Sequence, residues 1–396
     1  MAAPALVVLG AAGLAAAQTL TFPATPLNQL KFPKTTDLPY QIYPDSTPYV
    51  RGPQSGYNIC NSTTETQDSM CQTQWLNGLD DFCLWAPPAE NSLIADTEGE
   101  EVAWCTKKGW GTRIMVEGTL QGAQLLKTNE YWMITGLIDQ SKLNIQSTDY
   151  GGELDSGGQD ERGNPIGGQM YSTAFNSDYQ QILWWTEFIG SNQFCIKICN
   201  PSGSNNPGYC QHTLDRIGLL YNCPSKYTAG GGFQAGEFEI CDSDLMTVPG
   251  IYVDASGATQ SYEQPPESLG EITSIPYTPT VVASSNCQTY ASSALFTELA
   301  SATNAASTTG SAAGSSASGS ASGSASGTAK ASSAGSSGSA AASRSASGSA
   351  ASASTTAEGS TSNTSAASGR SEGIISLFFS LAAGLFGVGA AISLLA

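Results

Sequence analysis

The sequence predicts a mainly β protein, in which a disulfide-stapled β-sandwich head precedes a disordered stalk rich in Ser, Ala and Gly. Three observations support this fold class. All ten cysteines lie between positions 60 and 287. Short apolar runs in the same region are separated by turn residues, as in sandwiches and barrels. Beyond position 301, small and hydroxylated residues bury too little apolar surface to offset the entropy cost of ordering.

The chain begins with a segment that resembles a secretion signal. Residues 1–17 are apolar and end in Ala15-Ala16-Ala17, which predicts a signal peptide cleaved before Gln18. A buried helix is the alternative, but the segment shows no polar face. Seven prolines between Leu20 and Gly56 then predict that 18–56 is an extended arm lying on the head.

Residues 57–290 are expected to form the head. An even number of cysteines on a secreted chain predicts a disulfide framework, although the sequence leaves the pairing open. Zinc is the competing use, but the chain has a single His and no two CxxC pairs. The expected disulfide residues are Cys60, Cys71, Cys83, Cys105, Cys195, Cys199, Cys210, Cys223, Cys241 and Cys287.

Apolar periodicity predicts the secondary structure of the head. The run 194–199 alternates between two faces, which predicts a strand with one face in the core. Helices are expected at 76–82 and near 293–302. Further strands are expected at 111–116, 131–137 and 181–188.

Residues 291–373 are predicted to be a stalk and anchor spacer, and O-linked sugars on its Ser and Thr would stiffen it. The apolar tail 374–396 follows a polar spacer and a group of small residues. This arrangement is the signal for a glycosylphosphatidylinositol (GPI) anchor, whose attachment removes the tail. Asn363 is the first candidate for the attachment residue and Ser365 the alternative. A retained single-span anchor is the competing interpretation.

The loop 149–168 holds seven glycines and five carboxylates. Three interpretations stay open. Oxygen-rich loops suit calcium, with Asp149, Glu153, Asp155 and Asp160 as candidate ligands. Glu153 with Asp155 or Asp160 could instead form the carboxylate pair of a glycoside hydrolase. The third interpretation is an ordered loop whose side chains cap its own backbone amides.

Three further positions are candidates for contacts with sugars or for chemistry. Trp184 and Trp185 point to opposite faces if they lie on a strand, so one is expected in the core and the other free to stack on a glycan. Asn61 begins an N-glycosylation sequon. A Ser-His-Asp site would need His212, but no Gly-x-Ser-x-Gly motif accompanies it, so no catalytic residue is predicted.

The formal net charge of −18 argues against a nucleic-acid partner, and no cofactor is predicted. Longer stretches of the head resemble the fungal macrophage-activating glycoproteins, in segments 57–65, 81–88, 98–106, 151–168, 194–201 and 209–221. The resemblance covers roughly 56–241. It implies a GPI-anchored fungal surface mannoprotein and brings no catalytic residue with it.

These observations favour a glycosylated, non-enzymatic surface protein with a wall-structural or adhesive role. Its expected place is the outer face of the plasma membrane or the cell wall, held by the lipid anchor. Cell-wall glycans or host surface receptors are the expected partners. The alternative is a glycoside hydrolase that acts on wall polysaccharide through carboxylates of the 149–168 loop.

Overall fold

A computed structural model describes residues 20–228 and 235–301. The predicted signal peptide, most of the stalk, both candidate anchor residues and the apolar tail lie outside these ranges. No helix among the described residues is long and apolar enough to cross a membrane.

Strands dominate the described chain, and its helices are single turns. The α-helices are α1 (Ile94–Thr97), α2 (Asn206–Tyr209), α3 (Gly218–Asn222) and α4 (Ser292–Leu295). Short 3-10 turns occur at Leu27–Gln29, Thr35–Asp37, Gln140–Leu143, Asp215–Ile217 and Glu267–Leu269. The strands are β1 (Thr73–Trp75), β2 (Cys83–Ala86), β3 (Val102–Cys105), β4 (Arg113–Ile114), β5 (Leu120–Lys127), β6 (Tyr131–Ile138), β7 (Gly152–Asp155), β8 (Gln169–Ser172), β9 (Gln180–Gln181), β10 (Trp185–Gly190), β11 (Gln193–Cys199), β12 (Phe238–Ser243), β13 (Ile251–Val253), β14 (Thr259–Ser261) and β15 (Ser284–Tyr290).

A seven-stranded sheet forms the centre of the head, in the order β15-β12-β5-β6-β11-β10-β7. Its neighbours are antiparallel except for the parallel pair β12 and β5. The β10–β11 hairpin turns at Ser191 and Asn192, which both have positive φ. This backbone matches the twist of the two strands and fixes their register.

The two faces of this sheet bury different kinds of side chain, because successive residues of a strand alternate between them. On the first face lie apolar residues such as Leu125, Ile134 and Ile196. The second face carries Met133 and the half-cystines Cys195, Cys199 and Cys241, and also the buried polar Lys197 and Thr186. Most of the buried charged side chains of this sheet therefore lie on the second face, with Glu187 on the first face as the exception.

Small sheets complete the sandwich. The sheets β2-β3-β4 and β1-β8-β9 contribute to the same core as the first face of the large sheet. Phe82 stacks on Phe194 with ring centroids 6.0 Å apart, and Trp85 lies 5.8 Å from Trp185. The mainly β, disulfide-stapled head predicted from the sequence is confirmed.

Five disulfides join all ten cysteines. Two of them tie the segment after β11 to that strand, and so hold a cover over the second face. The pairs are Cys60–Cys71, Cys83–Cys105, Cys195–Cys223, Cys199–Cys210 and Cys241–Cys287.

The Pro-rich arm packs through a few buried apolar side chains. Leu27 and Tyr43 form a small core with Ile166 of the glycine-rich loop. The backbone amide of Leu27 also donates to the carbonyl of Glu161 at 2.8 Å. The described part of the arm is therefore docked on the loop that carries the candidate carboxylates.

The helix predicted at 76–82 is wrong. Leu76 and Phe82 form an antiparallel bridge, and the amide of Asn77 donates to the carbonyl of Asp81 at 2.8 Å. Asn77-Gly78 is a turn signal that outweighs the apolar spacing of the segment. The strands expected at 131–137 and 194–199 are present as β6 and β11, whereas the run 111–116 forms only the short β4.

Candidate functional site

The glycine-rich loop is held by a buried network of charges. Asp160 accepts from Arg51 Nη1 at 2.8 Å and from Arg162 Nη2 at 2.7 Å. The guanidinium of Arg162 is fully buried and lies 4.2 Å from the ring centroid of Tyr49. The carboxylate of Asp160 thus binds two guanidinium groups, and its contact with Arg51 fixes the arm to the loop.

The four candidate calcium ligands are engaged separately. Asp149 accepts from the backbone amides of Ile94 and Gly151 at 2.8 and 3.1 Å. Glu153 accepts from the Thr186 hydroxyl at 2.6 Å, and Asp160 is held by its two arginines. The structure does not bring the four together as one ligand set.

Within the described residues, one group of three potential metal ligands does converge, formed by Glu239, Cys241 and Cys287. The two sulfurs are joined in a disulfide, so neither is a thiolate that could ligate a metal. This group does not fit a metal centre.

Asp155 ends β7 and caps the backbone of its own loop. Its Oδ1 accepts from the amides of Gly157 and Gly158 at 2.6 and 2.8 Å. His212 Nδ1 lies 3.4 Å from the same oxygen. Burial raises the pKa of Asp155, while the nearby His212 and the two amides act in the opposite direction.

His212 reaches Asp155 because of two local features. The Cys199–Cys210 disulfide pins its segment to the end of β11. Gly157 leaves room for the ring, since a Cβ at that position would lie 2.6 Å from His212 Cε1. The His212 side chain is 26 % exposed, whereas that of Asp155 is 5 % exposed. Solvent therefore reaches the pair from the imidazole side.

Trp184 and Trp185 point to different surroundings, as expected from the strand geometry. Trp185 is 1 % exposed and lies in the core that packs on the first face of the large sheet. Trp184 is half-buried and packs against the buried residues of the second face. Its ring centroid lies 6.2 Å from that of His212. Trp184, His212 and Asp155 thus form one surface site, which we call the notch.

Behind the notch, polar groups continue into the second face. Lys197, Thr186 and Asp155 are directly opposite one another on β11, β10 and β7. Lys197 is fully buried, and its Nζ donates to the carbonyl of Asn222 at 2.6 Å. Burial lowers the pKa of Lys197 to about 7, although the charge of Glu153 opposes this effect.

Several acidic groups surround the notch and influence one another. Burial raises the pKa of Glu98 to about 7; Arg51 opposes this, and the charges of Asp155, Asp215 and Glu267 add to it. Burial and the charge of Asp155 also hold the pKa of Glu153 well above its usual range.

The predicted glycosylation position is accessible. Asn61 is exposed beside the Cys60–Cys71 disulfide. Its Oδ1 accepts from the amide and hydroxyl of Thr63 at 2.9 and 2.7 Å. Both sequon residues are thus at the surface of the head.

The sequence pattern predicts no functional role for His212 or Lys197. The sequence does indicate that Lys197 is buried, because it lies two residues from both Cys195 and Cys199 on the same strand and must share their face. The partnership of His212 with Asp155 joins segments 57 residues apart in the chain, and no local pattern indicates it.

The fold and notch define a class, the disulfide-stapled β proteins, which are typical of oxidising compartments. The comparisons give a family. The chain is 37 % identical over 214 residues to appressorium protein ROW2 of the fungus Mycosarcoma maydis, a match covering 53 % of this chain and 70 % of that protein. It belongs to the family represented by that protein.

A second relative is appressorium protein ROW1 of the same fungus, 43 % identical over 210 residues. That match covers 52 % of this chain and 47 % of ROW1, so the chain spans about half the length of this relative. No family model matches the chain, and no solved structure matches it. The resemblance to macrophage-activating glycoproteins stays a prediction.

Proposed function

We propose that this chain is a secreted, glycosylated and GPI-anchored surface glycoprotein whose β head contacts glycans of the cell wall through the notch. The relatives are named for the appressorium, a fungal structure, which fits a role at the cell surface. The five disulfides fit a secreted protein.

The observation that carries the glycan contact is the position of Trp184 beside His212 and Asp155. An indole offers an apolar face on which a sugar ring packs, and its polar edge remains hydrated. The imidazole and carboxylate supply directional hydrogen bonds to hydroxyl groups next to that face. A shallow aromatic site with a few polar groups is the arrangement that a polysaccharide chain can reach from solvent.

The direct test is binding of the isolated head, residues 18–301, to immobilised fungal β-glucan, chitin and mannan. Trp184→Ala is expected to weaken binding strongly, and Trp110→Ala tests an aromatic that is also half-buried but outside the notch. Circular dichroism and the unfolding temperature show whether each variant is folded. Equal binding by the wild type and folded Trp184→Ala would refute the notch as the contact site.

A hydrolase remains the second candidate, because one observation favours it. Glu153 and Asp155 lie on the same face of β7 two residues apart, about 7 Å along the strand. Carboxyl groups on Cα atoms with this spacing can reach the separation found between the two carboxyls of inverting glycosidases. Against it, Glu153 is 7 % exposed and bonded to Thr186, and Asp155 is bonded to two amides of its own loop.

Sugar release separates the two candidates. We expect no new reducing ends when the head is incubated with the same three polysaccharides. We also expect Glu153→Gln to leave binding unchanged, because its carboxyl lies behind the notch. Steady release that Glu153→Gln or Asp155→Asn abolishes would replace the binding role with the enzymatic one.

The anchor and the sugar are tested separately. A phosphatidylinositol-specific phospholipase should release the protein from intact cells, as expected for attachment at Asn363 or Ser365. Recovery of peptides from 374–396 in the membrane fraction would contradict this. Asn61→Gln should remove one N-linked glycan, visible as a loss of mass. Host surface receptors are a further class of partner that the head could meet.

A further inference from the structure

The glycan-binding role proposed above leaves the chemical class of the sugar open, and the charges around the notch bear on it. Asp155 is inside the notch, and Asp215 is exposed three residues after His212. Glu98 lies next to β7, with its Oε1 3.1 Å from where a Cβ of Gly152 would be. Asp155, Asp215 and Glu267 are close enough to raise the pKa of Glu98. In slightly acidic solution Glu98 is therefore largely protonated, and the exposed charge beside the notch is that of Asp215.

The nearby cations are already engaged. Arg51 donates to Asp160 and to the Asn164 side chain. Arg216 donates to the carbonyls of Pro265 and Gly270. Lys197 is buried behind the notch on Asn222. Among the described residues, these three cations have partners of their own, and His212 lies beside Asp155, whereas the exposed Asp215 has no cation within ion-pair distance.

We infer that the sugar held by the notch is a cationic amino sugar, presented as a chain of β-linked glucosamine such as deacetylated chitin. This inference rests on the proposed glycan-binding function. The pyranose ring would pack on Trp184, and its ammonium group would lie against the exposed Asp215, beside the pair formed by His212 and Asp155. An ammonium group is also attracted to the face of an indole, so the same aromatic ring favours a cationic sugar over a neutral one.

The net charge of the whole chain also favours a cationic sugar. A net charge of −18 attracts a polycation and repels anionic polysaccharides before contact. That long-range attraction alone would not distinguish the notch from the rest of the surface. The short-range part of the inference is therefore the part that needs testing.

The experiment uses two ligands of equal length that differ at the 2-amino group: glucosamine oligomers, in which it is free and can carry a positive charge, and N-acetylglucosamine oligomers, in which it is acetylated and neutral. Binding to the head is measured by calorimetry in slightly acidic buffer containing a chelator, which removes divalent cations. We expect the glucosamine oligomer to bind about tenfold more tightly. Oligolysine of similar charge is the non-sugar control and should bind weakly.

Charge-removing variants locate the contact. Asp155→Asn keeps the acceptor for the two loop amides while removing the charge, and Asp215→Asn does the same at the exposed edge. Each should weaken glucosamine binding about threefold to fivefold. Glu117→Gln is the matched control, since Glu117 is exposed and precedes β5 at the end of the sheet opposite Asp155. Trp184→Phe and His212→Gln test the rings with less risk to the fold than Trp184→Ala.

The outcomes are distinct. If the N-acetylated oligomer or a neutral glucan binds as tightly and depends on Trp184, the glycan-binding function stands and the amino-sugar inference fails. Equal weakening by Glu117→Gln, or equal binding of oligolysine, would also overturn the inference, because the whole surface would then be responsible. If no glycan binds to a folded head, the proposed function itself is refuted.

Discussion

Glu98 makes the stability of the head depend on pH. Its carboxyl is mostly buried beside β7, has no cation within ion-pair distance among the described residues, and accepts from the Asn164 side chain at 3.3 Å. Burial raises its pKa from 4.5 to about 7. The perturbation is Glu98→Gln, which keeps the shape and the acceptor but cannot ionise.

The sign follows from proton linkage. A folded pKa above the unfolded one means that the folded state holds the proton more tightly. The stability contribution is then fully present below about pH 4.5 and is lost as the pH rises through about 7. The difference between these two values corresponds to about 3 kcal/mol of unfolding free energy. Glu101, Glu153 and Glu187 add to the trend, because burial raises the pKa of each.

The assay is urea unfolding of the disulfide-intact head, residues 18–301, at several pH values. Below about pH 4.5 we expect wild type and Glu98→Gln to be similarly stable, and at about pH 8 we expect the variant to be more stable by up to about 3 kcal/mol. The exposed Glu117→Gln should run parallel to the wild type. A Glu98→Gln curve that also parallels the wild type would refute the reasoning.

Other parts of the head give further predictions. Lys197→Met should increase the unfolding free energy of the head near pH 6 and increase it less near pH 10. The pKa of Lys197 is about 7 in the folded state and 10.5 ordinarily, so the buried ammonium group destabilises the fold most at low pH. Thermal unfolding at both pH values checks this. Asp160→Asn should cost about 3–5 kcal/mol in urea unfolding, since it leaves two buried arginines without their carboxylate. Trp185→Ala should cost about 3–5 kcal/mol and the half-buried Trp184→Ala clearly less, as measured by the same method. Mass spectrometry of the unreduced head should recover the five pairs of the structure and no free thiol.

The sequence predicted the parts of the fold that local patterns determine. A short apolar run predicted β6, alternation predicted β11, and strand geometry required the two adjacent tryptophans to point to different surroundings. An even number of cysteines in an oxidisable pattern predicted the disulfides but not their partners. The pairing depends on which strands are neighbours: Cys83 and Cys105, for example, are directly opposite on β2 and β3.

The loop 149–168 shows why its chemistry could not be predicted in the same way. From the sequence, Asp155 and Asp160 are equivalent acids five positions apart. In the fold, Asp160 binds Arg51, which is 109 residues away in the chain, and its buried carboxylate has a structural role. Asp155 meets His212 at the surface. Of the three interpretations of the loop, capping of its own amides is the one that Asp155 displays directly.

The different surroundings of Asp160 and Asp155 also connect the stability of the head to its proposed glycan binding. The arginines that neutralise Asp160 are then not available to the notch, and Lys197, the cation nearest in register, is turned into the core. What remains at the surface is the indole of Trp184, the imidazole of His212 beside the buried Asp155, and the exposed carboxylate of Asp215, which has no cation within ion-pair distance among the described residues. Such a set complements a positively charged ring-shaped ligand better than a neutral one. Removing the charge of Asp160 with Asp160→Asn should therefore weaken the discrimination between glucosamine and N-acetylglucosamine oligomers. Arg51 already acts on the pKa of Asp155, and it would stay bound to Gly163 and Asn164 without a carboxylate partner of its own. A folded Asp160→Asn variant that keeps the full preference would show that the arginines have no influence on the notch.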